Sequence, residues 1–211
     1  MTLIPLLLLL ALLAAALPFP SHAQDTDDLR GYLNVRLGIT AAYDTNLGGG
    51  LGATPNEQVL GVSVGVNLGR YLSLELAGDG WERNMRLGGR TIGEFAMYTG
   101  IPTVRARYPL LEGRLSPYAL AGLGVGYTEF NDRKKPGFGV DIGGTSWGVV
   151  GALGVGAEYF VANNIAVGIE TKYVISRDQD VRLNGRQQSL HLDTLLATAG
   201  LRLYFPEVKP R

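Results

Sequence analysis

The feature that most constrains this chain is a period of two. Residues 30–43 place Leu33, Val35, Leu37, Ile39 and Ala41 on one parity, and Tyr32, Asn34, Arg36, Gly38 and Thr40 on the other. Alternation of that length belongs to a strand with two unlike faces, whereas a helix would repeat every 3.6 residues. The pattern returns at residues 60–68, 72–77, 119–127, 147–159, 165–175 and 195–205, each time with large aliphatic residues on one parity and glycine, serine or a single charge on the other. Residues 92–108 are less regular. Val104, Ala106 and Tyr108 oppose Arg105 and Arg107, but Pro102 interrupts the parity upstream, and a proline within a strand predicts an edge or a bulge.

Connection lengths alternate as well. Short ones fall at residues 69–70, 110–116 and 162–164, and long polar ones at 45–57, 83–91, 131–145 and 177–188. Short turns at one end and long loops at the other predict an all-β, antiparallel up-and-down transmembrane β-barrel of about eight strands. An even strand count brings both termini to the short-turn end, expected to be periplasmic.

The first segment is of another kind. Leu3 to Leu17 is nearly continuous leucine and alanine, Pro18 and Pro20 break it, and Ser21-His22-Ala23 offers small residues at the two positions a signal peptidase reads. Residues 1–23 are therefore expected to be a signal peptide and residues 24–211 a single barrel domain. The apolar run is short for a spanning helix, which needs about 20 residues.

A soluble barrel also alternates, with its apolar parity turned inward. Here the less apolar parity is mostly glycine, alanine and serine, with isolated charges; the chain holds 30 glycines. Such residues suit a narrow lumen, and the large aliphatics with their terminal Tyr and Trp suit a lipid-facing band with aromatic girdles. The lumen would then hold Arg36, Glu75, Arg105, Arg107, Glu158, Glu170, Lys172 and Arg202. Charges so confined must be paired, because an uncompensated buried charge costs several kcal/mol. Such a network could be a gate or a narrow polar path. Eight strands, however, enclose an interior just wide enough for side chains, which favours a plug.

Three stretches resemble the small outer-membrane β-barrel family that includes the OmpA transmembrane domain and the opacity-like porins. Ser116-Pro117-Tyr118-Ala119-Leu120-Ala121-Gly122-Leu123-Gly124-Val125-Gly126-Tyr127 is similar to that family's fifth strand. Gly151-Ala152-Leu153-Gly154-Val155-Gly156-Ala157-Glu158-Tyr159 is similar to its sixth, and Ala199-Gly200-Leu201-Arg202-Leu203-Tyr204-Phe205 to its closing strand. The resemblance covers essentially all of the chain after the leader. It implies residence in the cell outer membrane and handling by the barrel-assembly machinery. It is informative for fold rather than function, since the family includes anchors, adhesins, small porins and a few lipid enzymes. One departure is that Pro206, Glu207, Val208, Lys209, Pro210 and Arg211 follow the terminal aromatic, where the family's chain typically ends.

Composition removes several function classes. Lysine plus arginine equals aspartate plus glutamate at 19 each, so no basic surplus points to nucleic acid. The absence of cysteine excludes disulfides, thiolate metal sites and cysteine nucleophiles. No cofactor or metal is expected. Beyond the leader, His191 is the only histidine. Ser189, His191 and Asp193 share one parity of what reads as the last strand, a pattern that would fit a lipid A hydrolase. Residues i and i+2 of one strand nevertheless lie about 7 Å apart, too far for a hydrogen-bonded relay, so the chain is not expected to be an enzyme. Arg83, Arg86 and Arg90, with Arg133, Lys134 and Lys135, give the long loops a basic character that could meet lipopolysaccharide phosphates. The expected role is structural or surface-interacting, with a mostly plugged polar lumen. A narrow porin for small solutes is the alternative, and a lipid A-modifying hydrolase comes third.

Overall fold

The computed structural model describes residues 29–40, 51–53, 57–87, 90–132, 142–176, 179–183, 186–190 and 192–205. The segment expected to be a leader, with its expected cleavage site, lies outside them. The elements are β1 (Gly31–Thr40), β2 (Leu51–Ala53), β3 (Gln58–Asn67), β4 (Leu72–Leu87), β5 (Arg90–Arg107), a short 3-10 turn (Leu111–Gly113), β6 (Leu115–Asp132), β7 (Ile142–Ala162), β8 (Ile165–Ser176), β9 (Gln179–Leu183), β10 (Arg186–Leu190) and β11 (Thr194–Phe205). β1, β3, β4, β5, β6, β7, β8 and β11 form a closed, all-antiparallel eight-strand barrel. β1 pairs with β11 from Gly31↔Phe205 to Thr40↔Leu196, β11 pairs with β8, and β8 pairs with β7, so no barrel strand is left as an edge.

The parity read from the sequence is the parity of the wall. Val35, Leu37 and Ile39 on β1 face outward, as do Leu72, Leu74 and Leu76 on β4, Leu123 and Val125 on β6, Val149, Leu153 and Val155 on β7, and Val167 and Ile169 on β8. Leu123 keeps 70% of its surface exposed, which in water would be a liability and in lipid is a solvated side chain. Two aromatic rows bound this belt. Toward the long-strand end, Tyr98 stacks on Tyr127 at 6.3 Å and Tyr127 meets Trp147 at 4.9 Å. Toward the short-turn end, Tyr71 stacks on Tyr108 at 6.2 Å, with Tyr159 and Phe205 exposed on the same side. With a rise of about 3.4 Å per residue and a tilt of about 40°, the path from Tyr98 to Tyr108 covers about 26 Å, close to the apolar band of an outer-membrane barrel. Among the described residues no helix is long and apolar enough to cross a membrane.

Two expectations about the chain's course are corrected. Pro102 makes no bulge: it faces outward opposite Leu76, and the β4–β5 register runs through it unshifted. The pairing with β6 resumes at Thr103↔Gly122 in the register it had at Gly100↔Val125. Only the missing N–H is felt, because the proline ring points away from the interior. The expected loops at residues 83–91 and 177–188 are instead largely strand, and of the loop expected at 131–145 residues 131–132 and 142–145 are strand while 133–141 lie outside the described residues. β4 continues to Leu87 and β5 begins at Arg90, while β9 and β10 form a hairpin, with β9 pairing to the start of β7. Above the aromatic row the outward residues become Glu82, Asn84 and Arg86 on β4, so polarity there marks the strands leaving the apolar band rather than the end of the strands.

Candidate functional site

Four cations and four carboxylates meet inside the barrel, on the half nearer the short turns. Arg36 on β1 reaches Glu75 Oε1 at 3.2 Å and Asp79 Oδ1 at 2.9 Å, with Glu170 at 3.8 Å. Arg105 on β5 reaches Glu75 Oε2 at 3.2 Å, and Arg202 on β11 approaches the same oxygen at 3.5 Å while pairing with Glu158. Lys172 on β8 pairs with Asp79 and lies 3.6 Å from Glu170. All eight are buried.

Three tyrosines complete the carboxylates. The Tyr32 hydroxyl donates to Glu75 at 2.9 Å, Tyr118 to Glu170 at 3.0 Å and Tyr204 to Glu158 at 3.0 Å. The cations lie over the same rings: Arg105 is 3.6 Å from the Tyr118 centroid and Arg202 is 4.5 Å from that of Tyr32. Each ring thus donates its hydroxyl to an anion and offers its face to a cation.

The glycines of the inward parity explain how such long side chains fit. A Cβ on Gly65 would come within 2.4 Å of the Tyr32 ring, and one on Gly61 within 2.5 Å of Asp79 and 3.0 Å of Arg36. The tyrosines and guanidinium groups lie flat across neighbouring strands where no side chain stands. The cavity left among Asn34, Arg36, Tyr118, Glu158, Glu170 and Arg202 is about 10 Å³, the room of roughly one water molecule.

The half of the interior nearer the long strands has a different filling. Trp81, Met85, Phe95, Met97, Ile101, Phe130, Val150, Val174, Leu192 and Leu196 form a buried apolar cluster. A lumen of small residues and charges was expected throughout, so this tier is a correction. Its residues continue the inward parity of β4, β5, β6, β7, β8 and β11, where size rather than polarity changes.

The structure therefore brings together Arg36, Glu75, Arg105, Glu158, Glu170, Lys172 and Arg202. Arg107 sits apart at the short-turn mouth, where its Nη2 donates to the Gly69 carbonyl at 2.8 Å. Asp79 lies just past the 72–77 segment read from the sequence, and extending the parity of Glu75 by two steps of two would have found it. The network tyrosines carried the same signal, being the large residues on a glycine-rich parity. Arg83, expected on an outer loop, is corrected: it lies on the inward face of β4, 2% exposed and in register with Phe95, so it cannot meet lipopolysaccharide from there. Arg86 is exposed on the outward face. The side chains of Arg90, Arg133, Lys134 and Lys135 lie outside the described residues.

The Ser189, His191 and Asp193 pattern does not fall on one strand. β10 ends at Leu190 and β11 begins at Thr194. Asp193 instead accepts from the Ser176 amide at 2.9 Å and the Tyr173 hydroxyl at 3.0 Å, fastening β8 to the start of β11. The side chains of Ser189 and His191 lie outside the described residues. Among the described residues no group of histidine and carboxylate side chains could hold a metal ion.

Comparison with known proteins agrees with this architecture. The family model described as outer membrane protein beta-barrel domain matches residues 7–202. Similar solved structures include Neisserial surface protein A, 14% identical, with a TM-score of 0.59 over 83% of this chain and 97% of that one. OprG from Pseudomonas aeruginosa is 16% identical, with a TM-score of 0.56 over 84% and 96%. No curated protein matches.

Proposed function

Since the chain belongs to the outer membrane protein beta-barrel domain family, we propose that it is a sealed outer-membrane barrel whose interior holds the wall in shape while its protruding strands meet the exterior. The observation that carries this reading is the mutual pairing of the eight charges of the network around a cavity of about 10 Å³, with an apolar tier stacked above it. A hydrated ion crossing that path would have to displace paired charges and then enter a packed apolar layer, and each of these steps costs several kcal/mol. Planar-bilayer recording of the purified protein tests the reading. The expected result is a silent membrane, and reproducible unitary conductance would favour the narrow porin instead.

In this reading residues 1–23 are removed on export, the short turns and both termini face the periplasm, and the extended ends of β4, β5, β6 and β7 stand outside the cell. Lipopolysaccharide phosphates are the proposed contact of Arg86, Arg90, Arg133, Lys134 and Lys135. Protease applied to intact cells should cut within residues 133–141 and spare the turn at residues 108–114. The reverse pattern would invert the orientation. Co-purification of lipopolysaccharide should fall in a variant with Arg133, Lys134 and Lys135 changed to alanine.

A further inference from the structure

The exposed apolar surface does not stop at the aromatic row of the short-turn end. Leu110 stands two residues past Tyr108, and Leu111 follows it in the β5–β6 turn, 66% exposed. Val161, two residues past Tyr159 on β7, is exposed in the same way beside the next turn. Turns that only reverse a chain in water are ordinarily polar. This turn also runs against local preference. Leu111 and Glu112 have φ of 50° and 58°, and Gly113 follows with 88°. Such a left-handed backbone suits glycine or asparagine, and leucine takes it up only at a cost. The backbone frame fixes it: the Leu110 amide donates to the Leu115 carbonyl at 2.7 Å, the Leu115 amide to the Leu110 carbonyl at 3.2 Å and the Gly113 amide to Leu110 at 2.9 Å. Leu111 gains no burial within the protein that would offset the strain.

Continuity with the belt says what covers these leucines. The exposed row Val104, Ala106 and Tyr108 on the outward parity runs unbroken into Leu110. Leu110 bridges to Leu115, and Leu115 lies in register with Tyr159. Leu115 and Tyr159 line an apolar groove on the outer wall together with Val167, Ile169 and Leu201. The two sides of the turn differ accordingly: Pro109, Glu112 and Gly113 line a pocket at the barrel mouth, whereas Leu110 and Leu111 do not. The Tyr71–Tyr108 stack marks the level at which the lipid-facing belt meets the headgroups. We propose that the β5–β6 turn is a lipid anchor: Leu110 and Leu111 enter the acyl boundary of the leaflet that the short-turn end meets. Strain held at a position where it serves no internal packing then has a use, which is to keep an apolar tip at the membrane surface. The anchor presupposes the membrane barrel but does not depend on which leaflet this is or on whether the lumen conducts.

The chain contains no cysteine, so a nitroxide on a single introduced cysteine reports one position at a time. The full chain would be folded into phosphatidylcholine vesicles, and each label's collisions compared for oxygen, which concentrates in lipid, and for a water-soluble nickel chelate. Labels at Leu110→Cys and Leu111→Cys should favour oxygen, and one at Leu123→Cys, in the middle of the belt, should favour it more strongly. Free chelate access at Leu111→Cys with none at Leu123→Cys would overturn the anchor and leave the membrane barrel standing. Chelate access at both would overturn the membrane barrel itself. Protection from both reagents at Leu111→Cys would reveal a protein cover and overturn the anchor as well. A second variant separates anchoring from folding. Asparagine suits the left-handed backbone better than leucine, so Leu111→Asn should keep the strand signal in circular dichroism. Added to Glu112→Cys, it should shift that label toward the chelate. Unchanged access there, or loss of the strand signal, would count against the anchor.

Discussion

The Tyr118 ring lies directly over Gly156: a Cβ at position 156 would come within 2.5 Å of the ring and equally close to the Ile169 carbonyl oxygen. The ring could not stay there over any larger residue, and its hydroxyl would lose Glu170. Gly156→Ala should therefore destabilise the folded barrel by about 1–3 kcal/mol, the usual cost of overpacking. Gly100 has nothing within 4 Å of its Cβ position, and Gly100→Ala should change stability by less than about 0.5 kcal/mol. Urea titration of protein folded into vesicles would measure both.

Glu75 is the anion with the most partners, meeting Arg36, Arg105, Arg202 and Tyr32. Glu75→Gln leaves three guanidinium groups undercompensated and should cost about 3–5 kcal/mol. Adding Arg105→Met should recover part of that loss. In a double-mutant cycle, strictly additive effects would show that the two groups are not coupled.

The outward belt predicts a penalty that a soluble protein would not show. Leu123→Lys places an ammonium on the lipid face near the middle of β6. It should destabilise the protein by about 2–4 kcal/mol in vesicles. On a water-facing surface the same change would fall within about 0.5 kcal/mol of neutral.

The chain has two tryptophans, and the wall separates them. Trp147 is 71% exposed on the outer face and Trp81 is 2% exposed within the apolar tier. Brominated lipids should quench Trp147 and spare Trp81. Trp147→Phe should abolish most of the quenching, and Trp81→Phe should leave it almost unchanged.

The period-two pattern was enough to read the wall, since a side chain's parity on a strand decides its face wherever it lies along the strand. That is why seven of the eight expected lumen charges meet in one network while Arg107, equally inward by parity, does not. Parity says which way a residue points; height along the barrel axis depends on strand stagger, which local sequence does not carry. The same gap hid the apolar tier. Trp81 and Met97 share the parity of Glu75 and Arg105, and only the inter-strand register places them in a separate layer. Arg83 was misjudged because charge density near Gly88-Gly89 reads as a loop, whereas the strands continue past the membrane and keep an inward face there.

The pairing of Gly31 with Phe205 and of Thr40 with Leu196 joins the first barrel strand to the last. In hydrogen-bond terms the sheet is a ring, with no free end from which to unzip. Opening any single seam exposes two unpaired edges at once and, inside lipid, leaves both without water to satisfy them. A partly opened barrel is thus costlier than its count of lost bonds implies, and loss of structure should be all-or-none. The same geometry makes insertion depend on the final strand: until β11 arrives, the other seven form a curved sheet with two adhesive borders, a form that must be shielded until the circle is complete.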